Sequence, residues 1–313
     1  MDRRAGSVRL AGFRRGGYRC ARRSGALPGI GVDGVTLDIA AMTSGLERRG
    51  DGIWEARASA PVSYPSDGSE RCFEVEDASF WFAHRQQIIV DALQRFEPRR
   101  DRPFIDIGGG NGHVSHGIAQ AGYPVVLVEP SGVGARNARS RGLGNVVCAT
   151  LESAQFRPGS LPLAGLFDVL EHIEDDVAAL KSVRCAMLPG GLVFLTVPAH
   201  GWLQSEDDVI AGHFRRYTCR SLARTLQSAG FEVVHSTYAF AVLVLPILLL
   251  RTVPSRLGLH SGFDAERQVK EHSSRGILQR SVEAMLAQER RHLARGGTLA
   301  MGASCLAIGR VPP

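Results

Sequence analysis

The chain has no C-x-x-C pair. Its six cysteines (Cys20, Cys72, Cys148, Cys185, Cys219 and Cys305) are scattered without the spacing of a metal-ligand set. No metal site is therefore expected, and the thiols read as free groups in a reducing compartment. No run reaches the roughly 18 apolar residues of a bilayer-spanning helix, and nothing resembles a signal peptide. A cytoplasmic protein is expected by default. A net basic excess is also scarce where a fold is expected. The net charge is +6 over 313 residues, but residues 1–41 hold eight Arg and three Asp, hence +5, and the other 272 carry 29 basic against 28 acidic side chains, hence +1. No nucleic-acid partner is expected, because such a footprint needs a basic stripe on the domain itself. The whole chain is 44% hydrophobic and 22% charged, the balance of a globular protein long enough for a full core.

Residues 1–70 are rich in Gly, Arg, Ser and Pro and show no sustained apolar period. They are expected to form a disordered basic tail, either a targeting peptide or an overextended start with Met42 as the true one. Residues 71–313 are expected to form the domain, with a helical insertion at 239–296.

The most informative stretch is Phe104-Ile-Asp-Ile-Gly-Gly-Gly-Asn-Gly112. A short apolar strand runs into a glycine turn and then opens a helix, the unit that cradles nucleotide-like cofactors. Gly108, Gly110 and Gly112 fall at alternate positions, where a missing Cβ allows positive φ and close approach of backbone N–H groups to a ligand. Asp106 would repel a pyrophosphate, which favours a cationic or hydroxyl-rich ligand. A dinucleotide fingerprint needs Gly or Ala three residues after its second glycine. Those positions hold His113 or Ser115, according to register. A second strand, Pro124 to Val128, ends in Glu129, whose two oxygens match two vicinal ribose hydroxyls.

The D-x-G-x-G-x-G loop with Glu129 resembles motif I and the ribose-binding acid of class I S-adenosylmethionine-dependent methyltransferases. Several later stretches resemble the same family: Ser79-Phe-Trp-Phe-Ala-His-Arg85, Phe167-Asp-Val-Leu-Glu-His-Ile-Glu-Asp-Asp176, Leu188-Pro-Gly-Gly191 with the apolar run to Val197, Pro198-Ala-His200, and Gly212-His-Phe-Arg-Arg-Tyr217. The likeness covers about residues 72 to 238. It implies an α/β, doubly wound, mostly parallel seven-stranded sheet, with an antiparallel last strand at Ser304 to Val311. It implies S-adenosylmethionine as cofactor, held by Asp106, Gly108, Gly110, Gly112, Glu129 and Asp168, with Arg85 near the methionine carboxylate. Thr150 stands where the family often has Asp, and Leu151 and Glu152 are the adjacent candidates for the adenine.

The acceptor side is read from chemistry. Methyl transfer from a sulfonium demands positioning and exclusion of water, and a hydroxyl acceptor also needs a base. His200 and His172 follow strands five and four, at the ligand-binding edge of a parallel sheet. They are the candidate bases, with His213, Arg215, Tyr217 and Trp81 as candidate substrate contacts. Each has a bland alternative as a structurally satisfied side chain, Arg215 and Arg216 included. Ala239 to Leu250 is apolar, broken by Pro246, and too short to span a bilayer. It reads as a buried helix, a lid, or an interfacial helix in peripheral contact with membrane. The expected function is methyl transfer to a small-molecule or lipid-like acceptor. An NAD(P)-dependent oxidoreductase and a non-enzymatic membrane-surface module are the alternatives.

Overall fold

A computed structural model of the chain describes residues 37–57, 73, 75–258 and 277–313. Expectations for residues 1–36, 58–72 and 259–276 lie outside the described residues. The described residues build one nine-stranded sheet in the order β1-β2-β5-β4-β3-β6-β7-β9-β8. Its strands are β1 (Leu46–Arg48), β2 (Trp54–Ala56), β3 (Phe104–Ile107), β4 (Val125–Val128), β5 (Val146–Cys148), β6 (Leu161–Phe167), β7 (Met187–Pro198), β8 (Glu232–Ala239) and β9 (Ser304–Arg310). The pairs from β2 through β7 are parallel, and β9 lies antiparallel between β7 and β8.

The sheet carries a core on each face, and this explains its nearly continuous apolar strands. Ile105, Val126, Ala164, Val193 and Leu195 join one buried cluster. Their neighbours Phe104, Val125, Leu163, Leu192 and Phe194 join another. The two-residue period of a strand produces that division. The helix Phe80–Phe96 covers the second cluster through Ile89, Ala92 and Leu93.

Two sequence expectations change. The tail expected to be disordered through residue 70 instead forms, at residues 37–57, a short helix (Ile39–Met42) and the β1–β2 hairpin. Trp54 pairs with Val147, so the hairpin extends the sheet to nine strands rather than seven. The segment is too short to show a period, yet Ile39 and Leu46 are buried in one cluster with Ile105, Val126 and Val147 of the sheet. The Leu188–Gly191 turn is also absorbed into β7. Gly190 takes φ +74° and its N–H donates to the Val311 carbonyl, a conformation that favours glycine.

After β8 the backbone turns at Phe240 (φ +61°) into a run of helical pieces: Ala241–Leu243, Val244–Ile247, a π turn at Leu248–Thr252, and Val253–Arg256. The π turn lies between Pro246 and Pro254, each of which lacks the N–H that a regular ladder uses. The helix Ile277–Ala294 returns the chain across Phe80–Phe96. Glu289 fastens this layer. Its carboxylate accepts from the N–H groups of Phe240 (2.6 Å) and Ala241 (2.8 Å) and lies 3.0 Å from His84 Nε2.

Candidate functional site

The site lies at the carboxyl ends of β3, β4, β6 and β7. Gly108, Gly110 and Gly112 all take positive φ, at +73°, +55° and +80°. A Cβ on Gly108 would press on Val169 at 2.7 Å and one on Gly112 on Leu143 at 2.7 Å, whereas one on Gly110 would meet nothing within 4 Å. Gly110 therefore faces open space while its neighbours are packed. A strap formed by residues 75–79 braces the loop. Glu76 accepts from Asn111 Nδ2 at 3.1 Å and from Arg141 at 2.9 Å, and Asn137 donates to Asn111 Oδ1 at 2.9 Å.

Asp106 is 1% exposed. Its Oδ2 accepts from the Ser115 hydroxyl at 2.7 Å, and its Oδ1 is buried with no hydrogen-bond partner. Burial pushes this carboxyl up to about 6, with the Ser115 bond and the charge of Arg85 opposing the shift. Glu129, also buried, accepts from Gly110 N–H (2.9 Å) and Ser131 N–H (2.7 Å). Arg85 comes from the helix Phe80–Phe96 and pairs with Asp168, while its Nε is buried without a partner. Asp168 is held in the left-handed region (φ +57°), and its Oδ1 accepts from the Thr196 hydroxyl at 3.1 Å. Asp106, Glu129, Arg85 and Asp168 are thus brought together around the loop.

Thr150 sits differently. Its hydroxyl caps the helix Leu151–Ala154, accepting from Ser153 N–H in a capping box. Leu151 packs against the core, and both Leu151 and Glu152 line a hollow shared with Phe156, Pro158 and Cys185.

On the acceptor side, His172 ends a short 3₁₀ turn (Leu170–His172) after β6 and meets the His213 ring edge to face at 4.7 Å. Burial pushes His172 down to about 4, aided by the neighbouring His213. His213 Nδ1 lies 2.8 Å from Asp208 Oδ1, which also accepts from Arg216 Nε at 2.9 Å. Glu171, 1% exposed, has neither carboxylate oxygen hydrogen-bonded and carries a pKa well above the usual range through burial and the charge of Asp168. Glu171, His172 and His213 each offer a ligand atom within 4.8 Å of the others, a spacing that could hold a cation. The sequence shows no ligand spacing there, because His213 lies 41 residues past His172 and only the fold joins them.

His200 (φ +58°) is sandwiched between Trp202 (5.2 Å) and Tyr238 (4.8 Å). Its Nε2 is buried with no partner, and burial together with Arg216 lowers its pKa. Two expected substrate contacts have other work. Tyr217 is 3% exposed, with its hydroxyl donating to Asp176 at 2.7 Å, and Arg215 reaches the same carboxylate at 3.3 Å. Both tie the 213–217 loop to the helix Asp176–Ala186. Trp81 stacks on Phe240 at 3.9 Å, a contact with the helical insertion.

Sequence reasoning missed Asp208 and Glu76 and passed over Glu171. Asp208 stands in a run of acids, Glu206-Asp-Asp208, that reads as a solvated surface. Glu171 lay within a quoted motif, next to the histidine that drew attention.

Residues 81–236 match a family model described as a methyltransferase domain. A ubiquinone biosynthesis O-methyltransferase of Parvibaculum lavamentivorans is 29% identical over 131 residues, 39% of this chain and 52% of the relative. One from Ralstonia nicotianae is 27% identical over 113 residues, 34% of this chain and 48% of the relative. The chain thus spans about half the length of the curated relatives it matches. Among solved structures, phosphoethanolamine N-methyltransferase 2 of Haemonchus contortus aligns with a TM-score of 0.51 at 16% identity, covering 83% of this chain and 62% of that one. That likeness is one of fold. By the matched domain, the parallel sheet with its antiparallel β9, and the glycine loop with Asp106 and Glu129, this chain belongs to the class I S-adenosylmethionine-dependent methyltransferase family.

Proposed function

We propose that the protein transfers a methyl group from S-adenosylmethionine to a hydroxyl of a small-molecule or lipid-like acceptor. One observation carries the cofactor part of this reading. Beside the glycine loop, a buried acceptor without a donor, Asp106 Oδ1, accompanies a buried donor without an acceptor, Arg85 Nε. The two side chains are close enough for the Arg85 charge to act on Asp106. Unpaired buried polar atoms cost free energy that a ligand can relieve. An amino-acid zwitterion suits both, its ammonium to Asp106 and its carboxylate to Arg85. Glu129 spends one lone pair of each oxygen on the backbone. A carboxylate has about four, so two ribose hydroxyls can still be accepted. Gly110 keeps the backbone open to the ligand. Asp168 would hold Arg85 in place, and Leu151, with the backbone of Thr150, is the candidate adenine contact. The residues present therefore fit the cofactor.

When bound, the sulfonium supplies an electrophilic methyl group for in-line displacement. The chain's own part is to orient the acceptor, exclude water and take up a proton. His200 is the proposed base. Its Nε2 has no protein partner, and its lowered pKa keeps the ring neutral and able to accept a proton near neutral pH. His172 is the weaker candidate, since a group that titrates at about 4 holds a proton poorly at pH 7. His213 is a proposed substrate contact. The relatives' names point to an oxygen acceptor of quinone type, and peripheral membrane contact through residues 239–250 would suit a lipid-like substrate.

Calorimetry of the folded full chain with S-adenosylhomocysteine tests the cofactor. Micromolar binding that disappears in Gly110→Arg and weakens at least tenfold in Glu129→Ala is expected. A folded wild-type chain that does not bind overturns the reading.

A further inference from the structure

The helical run after β8 has two apolar faces. Val244 and Thr252, eight residues apart, are buried, and Leu248 between them packs on the same inner cluster. The Thr252 hydroxyl donates to the Leu203 carbonyl at 2.9 Å. The side turned to solvent, about a quarter-turn round from the buried residues, would ordinarily be polar. Here it carries Leu245, Leu249, Val253 and Leu257 at four-residue spacing, with Leu250 alongside, and their exposures run from 38% to 65%. Trp202, 41% exposed, adjoins this helix, since its carbonyl accepts from Arg256 at 2.9 Å.

Large exposed leucines aligned on one helix face mark an interaction surface rather than the scattered apolar exposure normal for proteins. Charge selects among occupants. Residues 240–258 contain Arg251 and Arg256 and no Asp or Glu. A stripe of leucines with arginines at its margins and an adjoining tryptophan has the composition of a helix lying in a bilayer interface. There, apolar side chains enter the acyl boundary, cations meet anionic headgroups, and an indole sits at headgroup level. No helix among the described residues is long and apolar enough to cross a membrane, so the contact would be peripheral.

We propose that the outward stripe Leu245–Leu249–Val253–Leu257, with Leu250 and Trp202, docks this protein on an anionic lipid surface. The surface differs from the 239–250 segment as read in sequence. Residues 239–244 are in the core or half buried, and the docking face extends to Leu257 and takes in a residue from the loop after β7. Trp202 stacks on His200. If His200 serves the acceptor as proposed above, the docked face sets the acceptor side of the site against the bilayer, where a lipid-like substrate resides. Only this last link rests on the proposed function.

The test is flotation of the full chain with vesicles of phosphatidylcholine alone and of phosphatidylcholine with phosphatidylglycerol at about 3:1. Wild type is expected to float with the anionic vesicles, and its tryptophan emission to shift blue. The double variant Leu249→Asp, Leu250→Asp should lose at least tenfold in binding. Both side chains are more than half exposed, so its fold should persist. Leu245→Ser with Val253→Ser serves as a second, milder pair. Arg256→Gln should weaken anionic binding about fivefold, in line with roughly 1 kcal/mol per interfacial cation. Trp202→Phe should abolish the blue shift while binding persists.

A wild type that remains unbound with both vesicles overturns the proposal, as does a double-aspartate variant that floats as well as wild type. So does a wild-type dimer in light scattering that the variant converts to a monomer without any vesicle binding, since a second copy then covers the stripe. Calorimetry with S-adenosylhomocysteine is read separately on the same samples. Loss of cofactor binding and loss of vesicle binding are thereby distinguishable failures.

Discussion

Replacing Asp208 with asparagine removes an anion that organises the loop between β7 and the helix Cys219–Ser228. Asp208 is 2% exposed. Its Oδ1 faces His213 Nδ1 and accepts from Arg216 Nε, and its Oδ2 accepts from Ser205 N–H at 2.8 Å. These donors lower its pKa from 3.8 to about 2 despite the opposing effect of burial. A carboxyl depressed in the folded state stabilises the fold above its unfolded pKa. That contribution is lost as pH falls through the folded value. Holding this carboxyl at about 2 rather than 3.8 corresponds to roughly 2–2.5 kcal/mol at pH 7, about half of that at pH 3, and little at pH 2. Asparagine keeps one acceptor but turns an amide toward donors, so the loss at neutral pH should be on the order of 2–4 kcal/mol. Urea unfolding of both proteins between pH 3 and 7 measures the difference directly. A gap below about 0.5 kcal/mol at pH 7, or one of the same size at pH 3 and pH 7, would refute the assignment of the shift to these contacts. Because Arg216 also donates to the Ala199 carbonyl at 3.1 Å, the variant should in addition loosen the His200 turn. A faster amide exchange at residues 199–217 is expected.

Other outcomes follow from the same contacts. Asp106 is raised to about 6, so the folded state binds the extra proton between about pH 4 and 6, and stability should fall with rising pH across that window and level off above it. Asp106→Asn should remove this slope and stabilise the cofactor-free protein at pH 7, by at most about 3 kcal/mol, while weakening S-adenosylhomocysteine binding in calorimetry. Thr150→Ala should cost about 1 kcal/mol of stability through loss of the helix cap and change S-adenosylhomocysteine affinity less than about twofold, since the hydroxyl is spent on Ser153. Glu289→Ala leaves the Phe240 and Ala241 N–H groups and His84 without their acceptor. It should destabilise by on the order of 3 kcal/mol in chemical denaturation.

Local chemistry made much of the cofactor side legible. The glycine loop needs no long-range information, because positive φ at Gly108, Gly110 and Gly112 is a backbone demand that glycine alone meets without strain. Glu129 could be paired with the loop because a βαβ unit sets a nearly constant separation between a loop and the end of the next strand. The acceptor side was less legible. His172, His200 and His213 were singled out by residue type, but type does not tell which nitrogen has a partner. Tyr217 shows the same gap, since its signature stretch drew it into the candidate site while its hydroxyl is committed to Asp176 in the core.

By itself, then, the sequence determined the alternation of apolar strands and helices, the glycine turn after β3 and the acids at the ends of β3 and β4. These depend on period, φ preference and short spacing, which are properties of neighbouring residues. Only the tertiary structure decided that residues 37–57 extend the sheet, that Glu171 meets His213 and that Arg85 meets Asp168. It also decided which face of the 244–257 helical run is left outside. Each of these joins residues far apart in the chain or depends on what else occupies the space, and burial is a property of the assembled fold. The loop from Phe104 to Gly112 could therefore be read at sight, whereas the partners that leave Asp106 Oδ1 and Arg85 Nε unsatisfied appeared only once the chain had closed around them.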